Sequence, residues 1–322
     1  MKHLQGAASH LSPHGGLWLC LLAVCFMNCV WIGFSQQFSF HPRWIRLVTG
    51  IATVGLLMLA LRHIRSATFD RPLDAMFRFM IFALFCVFMR LNLSVFNHLM
   101  MSFPQPLMDD VLQSWDVALG FDWNAYAQWV ASDARARAFL TEAYIDGGTK
   151  AMIVILIGAI VLRRHDRVNE MAFLLMASAL ACMLVAPFFP AEAPWKTVAS
   201  AEVKAMLGEE VWSEWRGQFH AVRSGEAVSF GSSGIMGLVT FPSYHTCMGL
   251  IVMWCSRGHF LSLAAGSAAG LIVIAATPVI GGHYFVDLLG GAAIVVLLAA
   301  AWHAPWRPVS VPRWAMWRPG ER

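Results

Sequence analysis

Residues 261–302 read LSLAAGSAAGLIVIAATPVIGGHYFVDLLGGAAIVVLLAAAW. Two apolar runs, 261–280 and 285–302, flank the short break Gly281-Gly282-His283-Tyr284, and the only carboxylate in the whole stretch is Asp287. About 20 mainly apolar residues let an α-helix cross the hydrocarbon layer of a bilayer, so the stretch reads as two spans joined by a tight turn. His283 and Asp287 lie at the edge of the second run, four residues apart and therefore on one helix face. An ionisable side chain at membrane depth is costly to hold, which makes both functional candidates.

The rest of the chain extends this reading. Of its 322 residues 58% are hydrophobic and only 13% charged, with a mean hydropathy of +0.60. These values lie outside the soluble range. Eight spans are expected, at 17–34, 47–61, 76–96, 147–162, 171–189, 244–255, 261–280 and 285–302, giving an all-α polytopic membrane bundle. We expect one integrated membrane domain, with an N-terminal three-span segment (1–96), a catalytic bundle (97–303) and a tail (304–322). The run at 244–255 is too short to stand alone, so its polar start should lie near the membrane surface. All seven cysteines fall in apolar runs without metal-ligand spacing, as expected of buried free thiols.

Charge sets the orientation. The N-terminus, residues 62–75, residues 163–170, Arg257 and the tail together hold twelve Lys or Arg against five Asp or Glu, while the opposite side holds nine against fourteen. The basic side is cytoplasmic by the positive-inside rule. Both termini then face the cytoplasm, in the inner membrane if the cell is bacterial, and His283 lies on the periplasmic or lumenal side. The net charge of +4 is scattered over the ends of apolar runs, which argues against nucleic acid as a partner. Trp302, Trp306, Trp314 and Trp317 fit an interfacial belt.

Two extracytoplasmic segments are too long to be connectors. Residues 97–142 combine Pro104-Gln105-Pro106 with Trp115, Phe121, Trp123, Tyr126 and Trp129, a pattern for interfacial amphipathic helices. Residues 190–242 begin Pro190-Ala191-Glu192-Ala193-Pro194-Trp195-Lys196 and end just before Ser243. Both should roof the site. Asp109, Asp110 and Asp116 can be read as a metal cluster, but acidic residues in the first turns of interfacial helices are commonplace; Tyr144 and Asp146, at the start of the fourth span, read as interfacial residues, with lining of the pocket as the alternative. Neither a metal nor a cofactor is assigned.

Phe241-Pro242-Ser243-Tyr244-His245 precedes His283 by thirty-eight residues, counted from His245. With the sixth and eighth spans side by side, a neutral His283 could attack an electrophile while Asp287 fixes its tautomer. His245 could protonate a leaving oxygen. Ser243 stands where free backbone amides and the helix dipole favour an anion. A phosphoryl group is the best-matched electrophile.

Pro-Ser-x-His followed by His-x-x-x-Asp resembles the second and third signature elements of the type 2 phosphatidic acid phosphatase superfamily. Residues 241–245, 282–291 and 189–195 are more similar to its inositol phosphorylceramide synthase branch, an inositolphosphotransferase. The resemblance implies a phosphohistidine route: His283 as nucleophile, Asp287 as its orienting partner, His245 as acid and then base, and Ser243 as phosphate ligand. The wider superfamily's Ser-Arg before the third element is replaced by Ala276-Thr277, and its first element, a Lys with Arg-Pro seven residues later, is absent. Positive charge must then come from elsewhere. Arg223 is the first choice because its planar guanidinium suits bidentate phosphate recognition, and Lys196 is the second; each can equally be a solvated cation.

A lipid phosphotransferase, with a phospholipid donor and a lipid or polyol acceptor, is the leading reading. A lipid or polyprenyl phosphate phosphatase differs from it only in using water as acceptor. A proton-coupled transporter, with His245, His283 and Asp287 as relay, is the reading from another class, and no inverted repeat supports it.

Overall fold

The computed structural model describes residues 15–64, 71–208, 212–231 and 234–304. The expected tail, with Trp306, Trp314 and Trp317, lies outside the described residues. Helices dominate: α1 (Gly15–Phe34), α2 (Pro42–Ile64), α3 (Arg71–Met101), α4 (Asp109–Ala118), α5 (Trp123–Ser132) and α6 (Ala134–Glu142) come first. A π-helical turn, Ala143–Gly147, joins α6 to α7 (Gly148–Val161), followed by α8 (His165–Val185), α9 (Pro194–Thr197), α10 (Ala201–Leu207) and α11 (Ser213–Ser224). The last three are α12 (Tyr244–Cys255), α13 (Phe260–Ile280) and α14 (Phe285–His303).

Among the described residues, six helices are long and apolar enough to cross a membrane: Gly15–Phe34, Asp74–Met101, Ala134–Val161, Asp166–Phe188, Phe260–Ile280 and Phe285–His303. The second and sixth expected spans fall in α2 and α12, which are helical but outside that set. With 12 residues, α12 rises only about 18 Å.

The fourth span differs from expectation. Its helix does not begin at 147 but at Ala134, and α6, the π turn and α7 form one continuous 28-residue rod. The reason is local: Asp133 caps it, accepting from the Arg135 and Ala136 amides at 2.8 and 3.3 Å, and Ala134-Arg135-Ala136-Arg137-Ala138 is strongly helix-forming. The arginines hide this helix from a hydropathy reading. The second departure from an all-helical chain is a pair of three-residue strands, β1 (Phe38–Phe40) and β2 (Val228–Phe230), aligned in parallel with Ser39 opposite Ser229. This pair ties the link after α1 to the segment leading into Ser243.

At the centre, α12 is packed by α13, α14 and α8, with Cys247, Ile251, Leu174 and Ala172 fully buried in one apolar cluster. The α12–α13 contact uses backbone against backbone. A Cβ on Gly249 would lie 2.8 Å from Gly270 O, so these helices meet through small residues as membrane helices commonly do. Cysteine burial is mixed: Cys182, Cys247 and Cys255 are buried free thiols, but Cys20 and Cys29 face outward from α1. An apolar run that faces lipid gives the same hydropathy as one that faces protein, which is why the sequence does not separate them. Arg78 is buried and paired with Asp74 at 2.8 Å.

Candidate functional site

The starts of α12 and α14 are held side by side. The Ser243 amide donates to Asp287 O at 3.0 Å, and Cys247 Sγ donates to Gly291 O at 3.3 Å. Gly291 permits this approach: a Cβ there would fall on Ser243 O and lie 3.2 Å from Thr246 Cβ. Two motifs thirty-eight residues apart thus become one site.

His283 Nδ1 lies 3.0 Å from Asp287 Oδ2. A carboxylate partner accepts, so Nδ1 carries the proton and Nε2 keeps its lone pair. The imidazole is 3% exposed and the carboxylate 0%. Asp287 Oδ2 also accepts from the Tyr284 amide at 3.0 Å, while Oδ1 is buried with no hydrogen-bond partner among the described residues. Gly282, with φ +66°, makes the reversal between α13 and His283, and Trp212 lies 3.0 Å from where its Cβ would be. A side chain would oppose both the backbone and the neighbour.

His245 sits one residue into α12. Its ring stacks on Tyr144, with centroids 3.8 Å apart and planes at 25°. Tyr144 Oη lies 2.6 Å from where a Gly281 Cβ would be. The tyrosine is therefore wedged between His245 and the turn carrying His283, and it belongs to the π-helical turn, a distortion frequent at functional sites. Of the two readings of Tyr144, interfacial residue and pocket wall, the stack on His245 favours the second. Asp146 matches the first, exposed and 3.5 Å from Lys150.

Ser243 is fully buried and caps α12, its hydroxyl oxygen accepting from the Thr246 amide at 3.3 Å. The Tyr244 and His245 amides have no intrachain acceptor among the described residues. Such first-turn donors, with the helix dipole behind them, form an anion site.

The expected cations stand further out. Lys196 is paired with Glu192 at 3.2 Å. Arg223 donates to Phe103 O at 3.5 Å and to Gln105 O, and its guanidinium lies 5.4 Å from the Phe219 ring centroid. Glu192 also takes His220 Nε2 at 2.6 Å. No direct contact joins Lys196 or Arg223 to His283 among the described residues. The Ala276-Thr277 positions leave no room for a cation: both are buried in α13, and Thr277 Oγ1 donates to Val273 O at 2.8 Å.

Two residues read from the sequence as acidic residues of interfacial helices hold the start of α14 in place. Asp116, on α4, accepts from the Phe285 and Val286 amides at 2.8 Å each. Asp109 accepts from Tyr284 Oη at 2.8 Å and from the Glu192 amide at 3.0 Å. Thr197 Oγ1 is 2.8 Å from the same Tyr284 hydroxyl. Burial raises the pKa of both carboxyls, and the bonded donors oppose that rise. The tyrosine hydroxyl is likewise pushed up by burial. A signal was available: Asp109, Leu112 and Asp116 share one helix face and are all buried. Two carboxylates on the apolar stripe of an amphipathic helix mark buried partners.

Both long segments therefore meet at the start of α14. Residues 190–195 are buried, with Pro190 O accepting from the Met108 amide at 2.8 Å and Ala191 packed with Leu112 and Tyr284.

The arrangement can bind an anion at the α12 N-terminus, present an oriented imidazole to it and exchange a proton through a second imidazole. Searches of curated proteins and of solved structures find no match. A family model described as the PAP2 superfamily matches residues 110–301, more than half of the chain and inclusive of His245, His283, Asp287 and Asp116. The chain belongs to the PAP2 superfamily and is an enzyme of the type 2 phosphatidic acid phosphatase kind.

Proposed function

We propose that this enzyme is a lipid phosphotransferase that moves a phospho-headgroup from a phospholipid donor to a lipid or polyol hydroxyl through a phosphohistidine. His283 Nε2 attacks phosphorus, the bond from phosphorus to the donor's lipid oxygen breaks, and His245 supplies the proton to that oxygen. His245 then takes the proton from the acceptor hydroxyl, whose oxygen attacks phosphorus and releases His283. Asp287 stabilises the imidazolium character that develops on His283. Ser243 and the free α12 amides hold the phosphoryl oxygens. Arg223 and Lys196, near the Glu192 cluster, attract the anionic headgroup toward the site. Residues 97–303 are the catalytic bundle, and the site faces the periplasm or lumen with both termini in the cytoplasm.

The observation that carries transfer over hydrolysis is the closure of the nucleophile: His283 is 3% exposed, and the adjoining Tyr284 and Phe285 are bonded to Asp109 and Asp116 of α4. A phosphoenzyme covered in this way is shielded from bulk water. The similarity of residues 189–195, 241–245 and 282–291 to inositol phosphorylceramide synthases supports a phosphoinositol headgroup and a ceramide-like acceptor. Purified enzyme supplied with headgroup-labelled phosphatidylinositol and ceramide should yield a new labelled lipid. Free inositol phosphate or phosphate without a labelled lipid product would overturn the transferase reading.

A further inference from the structure

At the end of α12 remote from His245, α7, α12 and α13 line a half-open cavity of about 570 Å³. It forms because α7 and α13 splay. Near the reaction centre they touch, with Val273 3.9 Å from where Cβ atoms on Gly147 and Gly148 would lie, whereas nothing stands within 4 Å of a Cβ on Gly158. The walls in the opened part are small and apolar, including Gly158, Ala159, Ala265 and Ala269.

The mouth is different. Arg164, Arg167 and Arg257 line it, with no carboxylate among the described lining residues. Arg257 is neutralised by the buried Glu170, with Nη2 2.6 Å from each carboxylate oxygen. Glu170 also accepts from Trp254 Nε1 at 2.8 Å and lies 2.9 Å from His303 Nε2. Arg167 Nη1 is 3.9 Å from Glu170 Oε2, beyond hydrogen-bond reach, and is buried with no hydrogen-bond partner among the described residues. Arg164 is exposed beside Gly258. Glu170 therefore leaves two of the three lining guanidiniums, the partly exposed Arg167 and the exposed Arg164, without a hydrogen-bonded counterion.

We infer that this cavity is a second lipid site, occupied by an anionic phospholipid whose phosphate meets Arg164 and Arg167 and whose acyl chain lies between α7 and α13 along Gly158. Charge selects the occupant: a zwitterionic lipid brings its own cation to a mouth that already has an excess of them, while an anionic lipid supplies the missing acceptor oxygens. The volume is in the range of enclosed ligand sites. The site is separate from the chemistry, since the helix between the two ends rises about 18 Å.

The test uses full-length enzyme in phosphatidylcholine vesicles containing a small fraction of phosphatidylglycerol with a mid-chain diazirine. Photolysis should label peptides within 151–167 and 257–269, and unlabelled phosphatidylglycerol should compete about tenfold better than added phosphatidylcholine. Gly158→Leu fills open space and should cut the label at these peptides at least about fivefold while the enzyme keeps its turnover, which shows it folded. Arg164→Gln with Arg167→Gln should remove the preference for the anionic competitor. Label confined to other peptides, equal competition by both lipids, or unchanged labelling in both variants would overturn the assignment.

Discussion

Asp116 caps α14, the helix that follows His283, from 169 residues earlier in the chain, its Oδ2 accepting from the Phe285 amide at 2.8 Å. Helix N-termini leave backbone donors exposed, and here two of those of α14 are satisfied by one buried carboxylate on another helix. Asp116 therefore shares with Asp109, which accepts from Tyr284 Oη, the task of fixing the turn that carries His283.

Replacing Asp116 by Ala strands both amides in a dry site. Each unsatisfied buried donor costs about 1–3 kcal/mol, so Asp116→Ala should lower the unfolding midpoint in detergent and reduce turnover together. Asp116→Asn keeps an acceptor for one of the two amides and should recover only part of the stability. Unchanged melting of Asp116→Ala would show that the bonds carry no structural weight.

A pH dependence follows from the same carboxyl and from Asp109. Burial raises both pKa values, whereas in the unfolded chain an Asp titrates near about 3.9. The stabilisation linked to protonation is fully present below the unfolded value and is lost as pH rises through the raised folded value. Between those two limits the wild-type midpoint should fall with rising pH relative to Asp116→Asn. Parallel midpoint curves for the two proteins would contradict this.

His283→Ala should abolish turnover with an unaltered melting profile. His245→Ala should cost about 10⁴-fold and Asp287→Asn about 10²-fold, the upper and lower ends of what a positioned acid–base group contributes. A phosphorylated histidine trapped in His245→Ala and missing in His283→Ala would identify the nucleophile. Wild-type rates in either histidine variant would remove the proposed mechanism.

The Gly291 contact sets the spacing between the two imidazoles. A methyl group there collides with Ser243 O, a backbone atom that cannot swing away, and overpacking of this kind costs about 1–3 kcal/mol. Gly291→Ala should lower kcat by at least about tenfold. At Gly290 the facing atoms are the Phe241 ring and Pro242, 3.0–3.1 Å from where a Cβ would lie, so Gly290→Ala should be milder. Equal rates for both would place the spacing elsewhere.

Tyr144 offers a different readout. Tyr144→Phe keeps the ring against His245 and should leave kcat within about threefold, whereas Tyr144→Ala frees the imidazole and should reduce kcat more than it raises KM. A pure KM effect from Tyr144→Ala would make the tyrosine a substrate-binding wall.

Much of this site was legible because chemistry in an apolar background is conspicuous. His245, His283 and Asp287 stand out against runs with almost no other ionisable groups. The helix starting at Ala134 was hidden because hydropathy finds membrane depth, and a charged extension of a span has none. Asp109 and Asp116 were hidden for another reason: their partners are backbone amides and a tyrosine far along the chain, and pairing across that separation leaves no local pattern beyond a carboxylate on an apolar stripe. Lys196 and Arg223 carried the right charge, but their nearest partners, Glu192 and two loop carbonyls, are set by how the loops fold.

The brevity of α12 has a geometric outcome for any lipid donor. Because Ser243 packs on Gly291, six residues past the first residue of α14, the start of α12 lies about 9 Å along α14 from that residue. His283 precedes that first residue, so the proposed nucleophile and the proposed phosphate ligand are offset along α14. In the proposed reaction, donors are sorted by whether their phosphate can span that offset.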